Sequence, residues 1–300
     1  MIHRIAGAAA LVSLVSQPAS AAPTQVDLDP TSKWNVDYGI EQCSLMREFG
    51  SGTAAVHLQI DSFGSWNAFR VLLTGTAVPR LRDPAGIARV RRSPDPNPSA
   101  ADTLQGSAGA VSAISFNLNF IPYLAPGDEP HLDKDTKQKW RTERSRPNPG
   151  YDATVEWISV LPSTGANIVL HTGSMAKPLA ALRSCVDDLY KSWGADPAQQ
   201  STLSREPSPT EATLRAITGE YPHRALINGT NAYVPVRLMV DAAGRANSCV
   251  VQAEGIDKDF MTAVCDHLQG KFDPALDAEG KPVASIFHTY VIYLLGGLHQ

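Results

Sequence analysis

Residues 238–251 read LMVDAAGRANSCVV, two short apolar runs around a polar turn, with one cysteine in the second run. Just upstream, YVPVRLMVD alternates strictly, placing Val234, Val236, Leu238 and Val240 on one face and Arg237 and Asp241 on the other. NSCVVQAE returns with Cys249, Val251 and Ala253 on one face, and Gly244 sits where the turn calls for a positive φ. The stretch reads as a β-hairpin. From Asp257 the period changes: Phe260, Met261, Val264, Cys265 and Leu268 fall at helical spacing, with Asp257 or Asp259 as cap. FDPALDAEGKPV (272–283) breaks that helix, and SIFHTYVIYLL (285–295) reads as a last strand. TEATLRAITGEYPHRALING (210–229) holds two short helical pieces around Tyr221–Pro222. The order is therefore α-β-β-α-β, too small a sheet to bury a large core. A bond from Cys249 on the strand to Cys265 on the inward helix stripe would close a loop worth ~3 kcal/mol by chain entropy.

The run YPHRAL, then VPVRLMVDAAGRANSCVV, then FDPALDAEGKPV resembles the C-terminal domain of TonB-type proteins. That pattern runs Tyr-Pro, V-x-V, V-D-x-x-G, C-x-V and F-x-P-A-x-D-x-x-G-x-P-V, and here it covers about residues 211–295. The resemblance implies a three-stranded antiparallel sheet with two helices and, in energy-transducing members, binding of short receptor segments. Three local departures stand out: Ala253-Glu254-Gly255 for Ser-Ser-Gly, Asp259-Phe260 for Leu-Asp, and Ala232 for Gly. An energy transducer also needs an uncleaved anchor and a long Pro-rich spacer, neither of which is expected here.

The whole chain is 300 residues, 43% hydrophobic and 19% charged, which excludes wholesale disorder and leaves room for two modest domains. MIHR, an apolar run from Ile5 to Val15 and ASA ending at Ala21 form the pattern of a secretory signal peptide cleaved after Ala21. The run is about half the ~20 residues that cross a bilayer, so no membrane span is expected after cleavage. Removing Arg4 takes the formal charge from -4 to -5, which speaks against nucleic acid as partner. A periplasmic location makes disulfides the expected fate of Cys43, Cys185, Cys249 and Cys265. GADPAQQSTLSREPSPTEAT (194–213) reads as a linker, so Cys43–Cys185 and Cys249–Cys265 is the simplest pairing.

The first half, 24–193, reads as a β-rich domain. Its strands are CSLMREF (43–49), AAVHLQI (54–60), AFRVLLTG (68–75), VSAISFNLNF (111–120), ATVEWISV (153–160) and NIVLHTG (167–173). A helix closes it, with Ser174 as cap and Leu179, Leu182, Cys185, Val186, Leu189, Tyr190 and Trp193 on one stripe. The charged run from GDEPHLDKD to TERSRPNPG reads as an exposed loop of about 25 residues. This half resembles only uncharacterised secreted Gram-negative proteins. The fold class expected is α+β: a β-rich domain closed by a helix, plus a small domain over 214–296.

Catalytic patterns are thin: there is no G-x-S-x-G, no H-E-x-x-H and no phosphate-binding glycine loop. His57 and His171 sit in strand-like runs, and His131 lies among Asp128, Glu129, Asp133 and Asp135, which reads as a solvated loop rather than a cation site. No cofactor and no metal are expected. The expected function is a non-enzymatic periplasmic interaction protein that binds an envelope protein segment or cell-wall component; the alternative is an exported hydrolase with its site in the first half. Strand order 2-1-3 would leave Phe287, His288, Thr289, Tyr290, Val291, Ile292 and Tyr293 on an edge free to take an added strand, with Thr289 and Val291 as its exposed backbone positions. A homodimer through this domain is the competing use of that edge. Pro235 counts against the order, because it would place a residue without an N–H in the central strand.

Overall fold

Period-2 runs in the first half of the chain assemble into one ten-stranded sheet. The computed structural model describes residues 24–78, 85–124, 127–162, 165–219 and 221–295, so the expected signal segment lies outside the described residues. The strands are β1 (Gln25–Leu28), β2 (Asn35–Tyr38), β3 (Cys43–Phe49), β4 (Val56–Ser62), β5 (Ala68–Gly75), β6 (Ala85–Arg92), β7 (Ser99–Ala108) and β8 (Val111–Asn119), then, after α1 (Lys134–Arg144) and α2 (Pro149–Thr154), β9 (Ile158–Leu161) and β10 (Asn167–Leu170). Their spatial order is β1-β10-β9-β6-β7-β8-β5-β4-β3-β2. The sheet curls until its ends meet at residues 28–31: Leu28 pairs with Leu170, and Pro30 bridges to Phe49. α3 (Ala176–Ser192) fills the curl, burying Leu179, Leu182, Val186 and Leu189 against Leu45, Leu58, Val71 and Ile114. The Cys43–Cys185 disulfide ties it to β3.

Several local expectations are corrected. The charged run is not a loop throughout, because α1 forms over Lys134–Arg144 and is held by Glu129 pairing with Lys137 (3.0 Å) and Arg141 (2.9 Å). ATVEWISV contributes a strand only from Ile158, since Asn148 caps α2 by accepting from the Tyr151 amide at 3.0 Å and draws 149–154 into a helix. Ser174 does not cap α3; Met175 holds the N-cap position without a side-chain bond. β6 and β7 escape period counting because, among the described side chains, AGIARVRR and SAADTLQGSA bury only Ala88, Val90, Arg92 and Thr103, just two of them apolar.

In the second half come α4 (Pro197–Ser201), β11 (Ser208–Pro209), α5 (Glu211–Gly219), α6 (His223–Asn228), β12 (Ala232–Val240), β13 (Ala246–Val251), α7 (Lys258–Leu268), β14 (Phe272–Asp273), β15 (Ala275–Leu276), β16 (Pro282–Val283) and β17 (Ser285–Tyr293). The hairpin forms as its pattern dictates, with Gly244 at φ 75° and a Cβ there placed 2.1 Å from the Phe272 carbonyl oxygen. Asp257 caps α7. The antiparallel sheet has order β13-β12-β17 and buries Val234, Val236, Leu238 and Val240 against Phe260, Val264 and Leu268. Cys249–Cys265 pins α7 to β13.

The other face of this small sheet is not left to water. Ile286 enters the core of the first half, and Arg237 makes a two-pronged ion pair with Glu41 while lying 4.7 Å from the Trp193 ring centroid. Gly64 lets the two halves approach: at its φ of 110°, a Cβ would meet His288 and Trp193 at 3.3 Å. The connecting stretch 194–213 is ordered, with Gln200 and Leu203 buried and β11 paired to β14. It lies as a strap over the junction.

Candidate functional site

The parity of the central strand decides what β17 offers. The Gln252 N–H donates to the Pro235 carbonyl at 2.9 Å, so the backbone groups of Pro235, Arg237 and Met239 turn toward β13. The missing N–H of Pro235 therefore falls where β13 has already ended, and the ladder to β17 loses nothing. Val234, Val236 and Leu238 turn toward β17, and their register partners Val291, Thr289 and Phe287 are tied inward. His288, Tyr290 and Ile292 consequently direct N–H and C=O outward. The expectation that Thr289 and Val291 carry the exposed backbone is corrected by one residue. Ile286, on the same outward parity, already donates its N–H to Gln200 Oε1 at 3.2 Å.

Side chains divide with the same alternation. Phe287, Val291 and Tyr293 face the small core, where Phe287 meets Phe272 edge-on at 5.0 Å and Tyr293 lies 4.8 Å from Phe260. His288 and Tyr290 face the first half. Tyr290 stacks on Tyr233 at 5.1 Å, and the Tyr233 hydroxyl donates to Asn117 Oδ1 at 3.3 Å. Together with Phe63, Arg70, Asn117 and Asn119, these residues enclose a cleft of about 170 Å³ beside β17.

Arg70 is held in place by Asp61, a fully buried carboxylate that also accepts from Ser44 at 2.6 Å and Gln59 at 2.7 Å. Its guanidinium lies 5.2 Å from the Phe63 ring and 5.4 Å from Tyr233. Burial lowers the His288 pKa to about 4, leaving the ring neutral near pH 7, and raises the Tyr233 and Tyr290 hydroxyls. The cleft wall thus presents neutral hydrogen-bonding groups, one fixed cation, and backbone donors and acceptors of an edge strand. Asn117 and Asn119 stand two apart on β8, so their amides repeat at ~6.6 Å, the repeat of an extended chain.

The histidines weighed in the sequence do not converge with other titratable groups into a catalytic cluster among the described residues. His57 on β4 pairs with Glu48 at 2.7 Å and His171, just past the end of β10, with Asp27 at 3.2 Å, each partly exposed. Around His131, Glu129 is engaged by Lys137 and Arg141, and Asp133 accepts from the Thr136 amide. Among the described residues no group of three His, Cys, Asp or Glu side chains is placed to hold a metal ion, and no helix is long and apolar enough to cross a membrane. Arg70, Asn117 and Asn119 were missed in the sequence, although each sits on the polar parity of a strand read there. No family model, no curated protein and no solved structure matches the chain.

Proposed function

We propose that this chain is an exported, non-enzymatic interaction protein of the cell envelope, processed after Ala21, that takes an extended segment of a partner protein onto the outer edge of β17. The observation that carries the reading is the outward parity of His288, Tyr290 and Ile292 beside a cleft lined with amides and aromatic rings. The α-β-β-α-β order and the resemblance to TonB-type C-terminal domains support the same use of the module. An incoming strand would hydrogen-bond to β17 on one side and find Asn117, Asn119 and Arg70 beneath it.

A library of fluorescein-labelled, acetylated and amidated heptapeptides, read by fluorescence polarisation, tests this. Bound peptides should tolerate N-methylation at one alternate set of residues and lose binding ~10-fold or more at the other, since only one parity faces β17. Tyr290→Pro, which removes one outward N–H, should weaken the same peptides. Equal sensitivity at both parities, no binding by any peptide, or unchanged binding by folded Tyr290→Pro would refute strand addition. A dimer in solution that Tyr290→Pro converts to monomer would assign the edge to a second copy instead.

A further inference from the structure

Asn119 borders a second and larger hollow, of about 410 Å³, between the end of β8 and α1. Its polar lining is dominated by three guanidinium groups, Arg92, Arg141 and Arg144, against one carboxylate, Glu129. Arg92 is 6% exposed, pairs with Asp95 at 3.1 Å and donates from Nη2 to the Ile121 carbonyl at 2.7 Å, yet its buried Nε has no hydrogen-bond partner among the described residues. Arg141 pairs with Glu129, and among the described residues Arg144 donates only to the Pro122 carbonyl, with no carboxylate partner. Trp140, 5.7 Å from the Arg144 guanidinium, and Tyr123 add aromatic wall.

We infer that this hollow binds a carboxylate carried on an apolar body, and that it takes an acidic residue or the C-terminal carboxylate of the same segment that lies along β17. The charge argument is local. Two guanidinium groups lie partly uncommitted in one cavity, and a planar carboxylate matches their fork. The aromatic wall gives the carbon skeleton its contact. Continuity with the cleft comes through Asn119, which borders both cavities; four residue steps, as from Asn117 to Ile121, cover at most ~13 Å, and an extended heptapeptide at ~23 Å has length to spare for lying along Tyr290 and entering the hollow. The pairing with the cleft rests on the strand-addition reading; the carboxylate site itself does not.

The test separates the two. 3-Phenylpropionate and its amide are titrated into the whole mature protein while the Trp140 indole N–H is followed by NMR. The carboxylate should shift Trp140 and bind at least ~10-fold tighter than the amide, and Arg144→Gln should remove that preference. No shift at Trp140, or equal binding of acid and amide, would overturn the carboxylate site whatever happens at β17. Heptapeptides are then compared as free acid, as amide, and as amide with one glutamate. Preference for the free acid assigns the chain terminus, and preference for the glutamate assigns a side chain. Either preference should vanish in Arg144→Gln while the neutral peptides bind that variant unchanged. Peptide binding indifferent to charge would break the link between cleft and hollow.

Discussion

Replacing Arg237 by alanine should loosen the seam between the two sheets. The guanidinium donates from Nε to Glu41 Oε2 at 2.8 Å and from Nη2 to Oε1 at 2.9 Å, and the two side chains are 13% and 26% exposed. Hydrogen bonds to charged groups contribute ~1.5–3 kcal/mol, and a guanidinium over an indole adds ~0.5–2 kcal/mol. Residual exposure screens part of this, so Arg237→Ala should cost about 2–4 kcal/mol. The Glu41 carbonyl accepts separately from Gln252 Nε2 at 3.1 Å and survives Glu41→Ala, so a double-mutant cycle isolates the carboxylate. Urea unfolding followed by tryptophan fluorescence should give a coupling energy of ~1–2 kcal/mol for the pair. Arg237→Lys should recover less than half of the loss, because an ammonium cannot fork across the carboxylate or stack on Trp193. A coupling energy below ~0.5 kcal/mol would show that this pair does not hold the halves together.

Arg183 bridges α3 to Asp152, Asn67 Oδ1 (2.6 Å) and the Trp66 carbonyl (2.8 Å), and Asp152 is fully buried; Arg183→Leu should therefore cost ~3–5 kcal/mol by leaving that carboxylate unpaired, with Asp152→Leu added to it restoring part, as chemical denaturation would show. Of the two disulfides, Cys249–Cys265 is only partly buried and Cys43–Cys185 almost wholly so; stepwise reduction with mass readout should open Cys249–Cys265 first, and the reverse order would contradict this packing. By loop entropy, removing the bond between residues 142 apart should cost ~5 kcal/mol against ~3 kcal/mol for the other. His288 should weaken the fold in acid. With its folded pKa depressed to about 4, the unfolded chain takes up the proton first, so stability is intact above ~6.5 and falls as pH drops from there toward 4, by at most ~3 kcal/mol. Glu206 lines a hollow with His288, and burial raises its pKa; its contribution has the opposite sign, being lost as pH rises through the raised value. Comparing the wild-type and His288→Gln stability profiles isolates the histidine, and identical acid slopes would refute its burial.

The hairpin, the capped α7 and the final strand were legible because each is a local pattern with one apolar buried face, and Cys249–Cys265 joins two of them; Cys43–Cys185, 142 residues apart, followed from pairing cysteines within each half. Val234, Val236, Leu238 and Val240 admit only one register, since a one-residue slip would expose the whole set. The missed elements lack that contrast. β6 and β7 lie in the middle of the large sheet, where neighbours on both sides supply the hydrogen bonds, so Ala and Gly suffice and alternation fades. α1 is polar along most of its length and depends on Glu129, outside the helix, for its ion pairs. The polar face of β12 gave no sign of a covering partner because Glu41, which neutralises Arg237, is 196 residues away in sequence.

The same limit explains the one-residue error at the edge. Which residues of β17 face outward depends on which side of β12 each peptide group faces, and alternation of side chains carries no information about that. Pro235 does carry it, in a negative form. A central strand loses least from a missing N–H at the end of a ladder, so the proline turns its nitrogen toward the neighbour that stops short. Gln252 marks that point by donating to the Pro235 carbonyl after β13 has ended. Once Pro235 faces β13, Val234 and Val236 must face β17, and Val291 and Thr289 must answer them. His288 and Tyr290 are then outward by necessity. The residue that argued against the strand order is thus the one that orients the edge, and a Pro235→Val variant should leave β17 in the same register, because the N–H it restores faces Gln252 on the β13 side and not β17.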